Sequence, residues 1–290
     1  QILNSLEKLK EETVCDVCGK EFKGNRKVMY LKQELNYDVV CPTCRNMPCA
    51  RCGKKVDMDL KMKKYLIQNG KKVYCQASNN STRILICICI DASNSMNQRM
   101  KEINLGVMQF LQGIADNICA ADAAEICVYS FGIKVRMLCD YGNIQKAIDM
   151  MEESGGIQAN EADSNMGECI EAALENLNRH RQQLLDLSKS FYRTWLIIIS
   201  DGDATDPSAC DRVSEKVRTM LRQRKLKVKC LSMGEGSHNL KDFTLDGQVD
   251  QLEDLKIMDF FSMLSRSVSQ ASQAIIMAGD ADLEAIQRQI

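Results

Sequence analysis

The stretch from Arg83 to Asn97, R-I-L-I-C-I-C-I-D-A-S-N-S-M-N, constrains the fold of this chain more than any other. Residues 84–90 are all apolar, with isoleucine at alternate positions. This pattern is typical of a strand that is buried on both faces, as in parallel sheets covered by helices on either side. We therefore expect a central strand of an α/β sheet here.

Three side-chain oxygens follow this strand at alternate positions, on Asp91, Ser93 and Ser95. Open α/β folds place ligands at the carboxyl ends of their strands, and a carboxylate with two hydroxyls suits a hard cation such as Mg²⁺. Asp and Ser are also favoured N-cap residues of helices. This stretch alone leaves both interpretations open, a metal site and a helix cap.

Apolar strands alternate with amphipathic helices from Arg83 onward. Alternation of this kind indicates a mostly parallel, doubly wound α/β sheet with helices on both faces, which we assign to residues 83–278, followed by a tail over 279–290. Cysteines inside the predicted strands are expected to pack as small apolar residues. We predict strands over 84–90, 124–131, 134–138, 194–200 and 226–232, and helices over 98–118, 143–151, 166–187, 208–224 and 257–276.

A second module precedes this sheet, because residues 15–78 contain an internal repeat with an offset of 34 residues. Each copy has two C-x-x-C-like turns separated by 22 residues. Two such turns supply the four thiolates of a tetrahedral Zn²⁺ site, and zinc would stabilise a segment with few apolar residues. The predicted ligands are Cys15, Cys18, Cys41 and Cys44 in the first copy and Cys49, Cys52 and Cys75 in the second, where Ser78 stands at the fourth position.

Ser78 is a weaker zinc donor than a thiolate, so we expect the second site to be an incomplete, degenerate structural site. The sequence leaves open which two turns share one zinc ion. A cross-braced arrangement, first turn with third, would resemble RING fingers, whereas the repeat favours sequential pairing. RING-like families also place a histidine among their middle ligands, and the segment from Cys15 to Ser78 has none.

The two modules carry opposite charge. Residues 15–78 contain 14 Lys and Arg against six Asp and Glu, a net charge of +8, so the rest of this −1 chain carries −9. A basic arm of this kind can bind nucleic acid or an acidic partner. Nucleic-acid binding is therefore one alternative function, and a RING-like ubiquitin-type ligase arm is a weaker one. We also predict an amphipathic helix over 1–14 and a short polar linker over 79–82.

No apolar run is long enough to cross a membrane, and the charged first residues are unlike a signal peptide. C-x-x-C pairs are more typical of metal sites than of a disulfide framework, which favours a cytoplasmic protein. Because the sequence begins with Gln rather than Met, we expect it to be part of a longer chain or larger complex.

Two further loops offer oxygen ligands at the same edge of the predicted sheet. Ser164, beside Asp163, precedes the helix that opens near Gly167, and Asp201 follows the strand ending at 200, with Asp203 and Asp206 close behind. Three loops that each supply an oxygen donor suit an octahedral cation. We predict a site for Mg²⁺ at this edge, with Ca²⁺ or Mn²⁺ as alternatives, and the residues alone leave open which oxygens of the second and third loops bind it.

The motifs D-A-S-N-S and S-D-G resemble the metal-ion-dependent adhesion site of von Willebrand factor A (vWA) domains. In those domains a D-x-S-x-S loop, a hydroxyl on a second loop and an aspartate on a third hold a divalent cation. The helix N-M-G-E-C-I-E-A-A-L, the segment I-I-I-S-D-G-D-A-T-D and the late helix D-F-F-S-M-L-S-R-S-V further resemble bacterial TerY-like proteins of tellurite-resistance and stress operons.

This resemblance implies a Rossmann-like vWA fold. It also implies that the ligands of the cation are Asp91, Ser93, Ser95, Ser164 and Asp201, with Ser164 where the family has Thr. It also implies a cation whose open coordination position accepts a carboxylate from a partner protein. TerY-like chains carry their cysteine-rich segment after the vWA domain, whereas here it comes first.

Residues for catalysis are scarce. The chain has two histidines, and His180 lies in a polar helical segment where we expect it to be solvated. No G-x-S-x-G or H-E-x-x-H motif occurs. The sequence therefore predicts a non-enzymatic interaction protein, and the resemblance to TerY-like proteins implies a bacterial stress-response or defence system.

Overall fold

The computed structural model describes residues 10–25, 38–50, 53, 55–56, 60–70, 72–73, 82–202, 204–234, 238–251 and 256–278. The chain divides into two compact units, with the boundary between Asn79 and Asn80. The first unit contains the cysteine repeat, and the second contains the α/β sheet.

The described part of the first unit begins with an antiparallel hairpin in which β1 (Lys10–Val14) pairs with β2 (Glu21–Asn25). The helix predicted over 1–14 is therefore wrong over residues 10–14, while residues 1–9 lie outside the described part. The turn at Cys15 brings both flanking segments together, and their backbone pairing overrides the helical pattern. Two helices follow, α1 (Pro42–Arg45) and α2 (Leu60–Gln68).

The sequence repeat is also a repeat of backbone hydrogen bonds. The N–H of Asp16 donates to the carbonyl of Val39 at 2.8 Å, and 34 positions later the N–H of Ala50 donates to the carbonyl of Val73 at 2.9 Å. In each copy of the repeat, this bond joins the first C-x-x-C turn to the segment that precedes the second turn of the same copy. The two copies therefore share a local backbone structure in addition to their cysteine spacing.

Both first turns also close in the same way. The N–H of Gly19 donates to Cys15 and that of Gly53 donates to Cys49, at 2.8 and 2.9 Å. The two glycines have φ angles of +70° and +73°. Side chains other than glycine rarely adopt this left-handed conformation, which explains why each turn is followed by glycine.

The second unit has a six-stranded sheet in the order β5-β4-β3-β6-β7-β8, parallel except for the antiparallel pair of β4 and β5. The predicted α/β class is confirmed. Its strands are β3 (Ile84–Asp91), β4 (Ala124–Phe131), β5 (Val135–Cys139), β6 (Thr194–Ser200), β7 (Leu226–Ser232) and β8 (Asp250–Gln251).

The predicted helices are observed with small shifts at their ends. The one predicted over 98–118 ends at Ala115, and a separate short helix follows because Asn117 accepts a hydrogen bond from the N–H of Ala120. The short helix over 238–242 and strand β8 are not predicted. The helices are α3 (Asn97–Ala115), α4 (Ile118–Ala123), α5 (Ile144–Glu153), α6 (Met166–Asp186), α7 (Pro207–Arg222), α8 (His238–Asp242) and α9 (Ile257–Ala278).

Strand β3 lies at the centre of the sheet, and all eight of its residues are buried. Its isoleucines face the core formed with α3, α5 and α9, while Leu85, Cys87 and Cys89 face the core formed with α6 and α7. The cysteines of the strands therefore pack as small apolar residues, as predicted. The strand ends at Asp91, which places that carboxylate at the carboxyl edge of the sheet.

Close packing of α6 on α7 depends on Gly167. A Cβ atom at this position would lie 2.4 Å from the backbone nitrogen of Cys210 and 2.6 Å from the carbonyl carbon of Ala209. Since backbone cannot move aside as a side chain can, we expect Gly167→Ala to lower the free energy of unfolding by about 1–3 kcal/mol in urea denaturation. Gly202→Ala is the control, because no atom lies within 4 Å of its added Cβ. Equal losses in the two variants would contradict this account.

No helix among the described residues is both long enough and apolar enough to cross a membrane.

Candidate metal centres

Asp91 organises the first candidate centre, at the carboxyl end of β3. Its side chain is buried, and its Oδ1 accepts a hydrogen bond from the N–H of Ser93 at 2.8 Å. Its Oδ2 accepts from the hydroxyls of Ser164 at 2.8 Å and Ser200 at 2.6 Å. One carboxylate thus joins the ends of β3 and β6 to the loop that precedes α6.

The other predicted oxygens continue from this carboxylate. The Oγ atoms of Ser93 and Ser95 are 3.0 Å apart, and the hydroxyl of Ser95 donates to Oδ1 of Asp201 at 3.0 Å. Ser93 is buried, whereas Ser95 is exposed. The structure therefore brings all five predicted side chains into one cluster, called the oxygen cluster below, which opens to solvent near Ser95.

The oxygens of this cluster are hydrogen-bonded to one another, and neighbouring ligands of an octahedral cation have a similar spacing. With Mg²⁺–O distances of about 2.0–2.1 Å, neighbouring ligands in an octahedron lie about 2.9–3.0 Å apart. The Ser93–Ser95 and Ser95–Asp201 oxygens are both 3.0 Å apart, and the Ser164–Asp91 oxygens are 2.8 Å apart. Hydroxyl and carboxylate oxygens are also the ligand chemistry that hard divalent cations require.

The electrostatics of the cluster favour a cation. Burial raises the pKa of Asp201, the negative charge of Asp91 raises it further, and the hydrogen bond from Ser95 opposes both effects. A nearby negative charge in a partly buried site disfavours the charged form of the Asp201 carboxyl. A divalent cation between the two carboxylates would replace this repulsion with attraction.

Two polar residues that hydrogen-bond to the oxygen cluster were not predicted. Ser200 is fully buried, and its hydroxyl donates a hydrogen bond to Asp91. Its position at the end of a strand, immediately before Asp201, is the sequence signal that points to this role. Thr205 accepts from the N–H of Ser164 through its hydroxyl and donates its own N–H to the Ser164 carbonyl, both at 3.0 Å. These bonds fix the second loop to the third, and no local sequence pattern predicts them.

The acidic neighbours of the predicted ligands have other roles. Asp206 accepts from the N–H groups of Gly167 at 3.1 Å and Glu168 at 2.8 Å, so it caps α6 from another loop. Negative charge at a helix N-terminus stabilises the helix. Asp163 is exposed, and Asp203 lies outside the described residues.

Glu161 joins the second loop to the first and to the β4–β5 turn. Its N–H donates to the carbonyl of Ala92 at 3.3 Å, and its carbonyl accepts from the N–H of Asn94 at 2.7 Å. Its buried carboxylate accepts from the N–H of Lys134 at 2.9 Å and pairs with Arg136. Burial alone would raise the pKa of Glu161, but these partners outweigh it and hold the pKa below its usual range.

We expect Glu161→Gln to weaken Mg²⁺ binding by about tenfold in calorimetric titration, because residues that orient ligands have effects of this size. It should also lower stability in urea at neutral pH. A carboxylate with a lowered pKa stabilises the fold above its unfolded-state pKa, and this contribution disappears as the pH falls through the folded-state value. The difference from wild type should therefore shrink in acid. Glu175→Gln, the same change at an exposed position in the middle of α6, is the control, and an equal effect there would contradict the prediction.

The second candidate centre is the thiol cluster formed by Cys15, Cys18, Cys41 and Cys44. Their sulfur atoms all lie within 4.8 Å of one another. The Sγ atoms of Cys18 and Cys41 are 3.9 Å apart. Tetrahedral Zn–S bonds of about 2.3 Å place sulfurs about 3.8 Å apart, so this cluster has the dimensions of a zinc site.

Backbone N–H donors favour the thiolate form of one cysteine of this cluster. Burial raises the pKa of Cys15, but the N–H groups of Cys41, Cys18 and Val17 outweigh it and lower the pKa to about 7. Burial and the neighbouring thiols raise the pKa of Cys44. Since zinc binds thiolates, a cluster with one readily ionised cysteine can start binding at neutral pH and lose its other protons to the metal.

The cluster also answers the pairing question for the first turn. It joins the first C-x-x-C turn to the second, so the cross-braced RING-like pairing of the first turn with the third is not formed. In the second copy, Cys49 is buried, while Cys52, Cys75 and Ser78 lie outside the described residues.

The expectation that His180 is solvated is wrong. Its ring stacks on Tyr141 with centroids 4.7 Å apart, and its Nε2 lies 2.5 Å from Oε2 of Glu125. Glu125 pairs with Leu85 near the amino end of β3, whereas Asp91 lies at the carboxyl end. The histidine therefore belongs to the packing at the opposite edge of the sheet from the oxygen cluster.

The von Willebrand factor type A domain family matches residues 86–258, more than half of the chain. Together with the sheet order and the three-loop site, this match shows that the chain belongs to the vWA family. The comparison with curated proteins found no match.

Solved structures support the fold assignment. The pilus adhesin SpaC of Lactobacillus rhamnosus GG, in an open conformation, aligns with 66% of this chain at 11% identity and a TM-score of 0.52. The vWF domain of the type V pili tip protein Mfa5 of Porphyromonas gingivalis aligns with 65% at 10% identity and a TM-score of 0.50. The alignment spans 30% of the SpaC chain and 95% of the Mfa5 domain. At these identities the likeness concerns the fold.

Proposed function

We propose that this protein is a non-enzymatic interaction module that binds an acidic side chain of a partner protein through a divalent cation. The observation that carries the proposal is the oxygen cluster, in which five oxygen-bearing side chains from three loops lie together at the carboxyl edge of the sheet. Membership of the vWA family, whose domains commonly mediate protein interactions, supports the same function.

Each residue of the cluster has a defined part in this proposal. Ser93, Ser95 and Ser164 supply neutral oxygens, while Asp91 and Asp201 supply charge. Because Ser95 is exposed and Asp91 is buried, a partner would approach from the Ser95 side. A bound cation would supply a positive charge and an open coordination position for the partner's carboxylate.

We further propose that Zn²⁺ occupies the thiol cluster and stabilises the first unit. The resemblance to TerY-like proteins favours a role in a bacterial stress-response or defence assembly. The net positive charge of the first unit would bind an acidic surface of another component of this assembly. Both units would then take part in protein–protein interactions.

Cross-linking and affinity capture from the native organism test the metal dependence of this function. Partners should be retained in Mg²⁺ or Ca²⁺, released by EDTA and recovered when the cation is restored. Asp201→Ala should lose them, whereas Asp163→Ala, which removes an exposed carboxylate from a neighbouring loop, should keep them. Capture that is unchanged by EDTA and by Asp201→Ala would overturn the proposal.

A further inference from the structure

Residues 155–161, called the strap below, lead from the end of α5 towards the oxygen cluster. The strap begins with Gly155 and Gly156, whose φ angles are +68° and +84°. Three alternate residues of the strap are buried: Ile157, Ala159 and Glu161. This alternation shows an extended segment with one side against the core. Because the strap contains no helix, its position depends on its contacts with neighbouring elements.

The far end of the strap pairs with the first loop of the oxygen cluster. The N–H of Glu161 donates to the carbonyl of Ala92 at 3.3 Å, and the N–H of Asn94 donates to the carbonyl of Glu161 at 2.7 Å. Three residues further on, the hydroxyl of Ser164 donates to Asp91. The course of the strap therefore affects the first loop and also the hydroxyl that the second loop supplies.

The near end of the strap is held by Asn104, a residue in the middle of α3. Its Nδ2 donates to the carbonyl of Ile157 at 2.9 Å, and its Oδ1 accepts from the N–H of Ile157 at 2.9 Å. One side chain thus pairs with both backbone groups of one residue, as a neighbouring antiparallel strand would. Among the described residues, no other hydrogen bond joins residues 157–160 to a helix or strand.

The sequence is matched to this contact on both elements. Asparagine is a weaker helix former than alanine or leucine, because its side chain competes for backbone hydrogen bonds. In α3, the carboxamide of Asn104 bonds to the strap instead. On the strap, an added Cβ at Gly156 would lie 3.0 Å from Cγ and from Nδ2 of Asn104. Glycine at this position therefore lets the strap approach the carboxamide closely.

We propose that Asn104 is a positioning residue for the oxygen cluster. It fixes the strap through Ile157, and the strap in turn aligns the first and second loops through Glu161. Asn104 itself lies outside the cluster and does not touch the cation. The effect on cation affinity rests on the proposed function, whereas the effect on the loops can be measured in the metal-free protein.

Calorimetric titration of the full chain with Mg²⁺ measures the effect on affinity. We expect Asn104→Ala to raise the Kd by about tenfold, as loss of groups that orient metal ligands does. Gly156→Ala should also raise the Kd, because its added methyl group displaces the carboxamide of Asn104. Gly155→Ala is the matched control. It places alanine in the same left-handed conformation, but no atom lies within 4 Å of its added Cβ, so the Kd should stay unchanged.

Ile114→Val separates positioning from a general loss of stability. Ile114 is buried near the end of α3, away from the loop that carries the predicted ligands. Removing one buried methylene group lowers the stability of the fold. This variant should nevertheless bind Mg²⁺ with the Kd of wild type, whereas Asn104→Ala should not.

Hydrogen exchange of the metal-free chain tests the loops directly. In Asn104→Ala, peptides covering 92–97 and 157–165 should exchange at least about tenfold faster than in wild type, while peptides from β6 should not change. If wild type binds no Mg²⁺, the proposed function fails, and exchange alone decides on Asn104. Unchanged exchange would overturn the inference. So would an unchanged Kd where wild type binds Mg²⁺, or an equal rise of the Kd in Asn104→Ala and either control.

Discussion

Replacing Cys41 with serine is expected to release zinc from the first unit and unfold it. The core around the first site is small and includes three of the four predicted ligands among its buried residues, with Val17 and Val40. Zinc binding contributes on the order of 10 kcal/mol to the folding of small metal-dependent domains. A core of this size cannot replace that contribution, so loss of one thiolate should remove most of the unit's stability.

Zinc content and hydrogen exchange together measure this result. The first site should hold one zinc ion in wild type, and backbone amides of β1 and β2 should lose their protection in Cys41→Ser. Cys119→Ala is the matched control, because Cys119 is buried in α4 of the other unit. It should keep both zinc and protection. Retention of zinc and of protected β1–β2 amides in Cys41→Ser would contradict the account.

Replacing Asp91 with alanine is expected to abolish measurable binding of Mg²⁺. Asp91 holds Ser93, Ser164 and Ser200 in place, so its loss removes a charged ligand and disorganises three of its neighbours. Since loss of a ligand-orienting residue alone weakens metal binding by about 10–100-fold, we expect a loss of at least about 100-fold. Calorimetric titration with Mg²⁺ and Ca²⁺ measures it.

The same substitution should destabilise the metal-free protein by about 1–3 kcal/mol, because it leaves buried donors without an acceptor. Asp91→Asn keeps an acceptor oxygen and should reduce this stability cost while still losing the metal. Asp163→Ala should change neither quantity, since Asp163 is exposed beside Ser164. Normal Mg²⁺ affinity in Asp91→Asn would contradict the assignment.

Most of the second unit could be predicted from the sequence because its signals are local. Alternating isoleucines specify β3, and periodic apolar residues specify the long helices. The meeting of the five oxygen-bearing side chains could also be predicted, since each follows or precedes a recognisable element at one edge of a parallel sheet. The family motifs D-A-S-N-S and S-D-G then indicated which loops converge.

The remaining features depend on contacts that are distant in sequence. The β1–β2 hairpin forms because the cysteine turn brings two polar segments together, and neither segment has a strand pattern of its own. Thr205 and Asp206 support the second loop from the third, and Glu161 supports the first from the second. Such roles follow from how loops meet in space, which residue types and spacing do not reveal.

Water-proton relaxation with Mn²⁺ tests most directly whether the oxygen cluster holds a cation with an open coordination position. Mn²⁺ accepts the same oxygen ligands as Mg²⁺ and is paramagnetic, so relaxation reports water molecules bound to the metal. The account predicts enhanced relaxation when Mn²⁺ binds wild-type protein, a decrease when a glutamate-containing partner segment displaces water, and no enhancement with Asp91→Ala. Enhancement that survives Asp91→Ala, or that no carboxylate reduces, would contradict it.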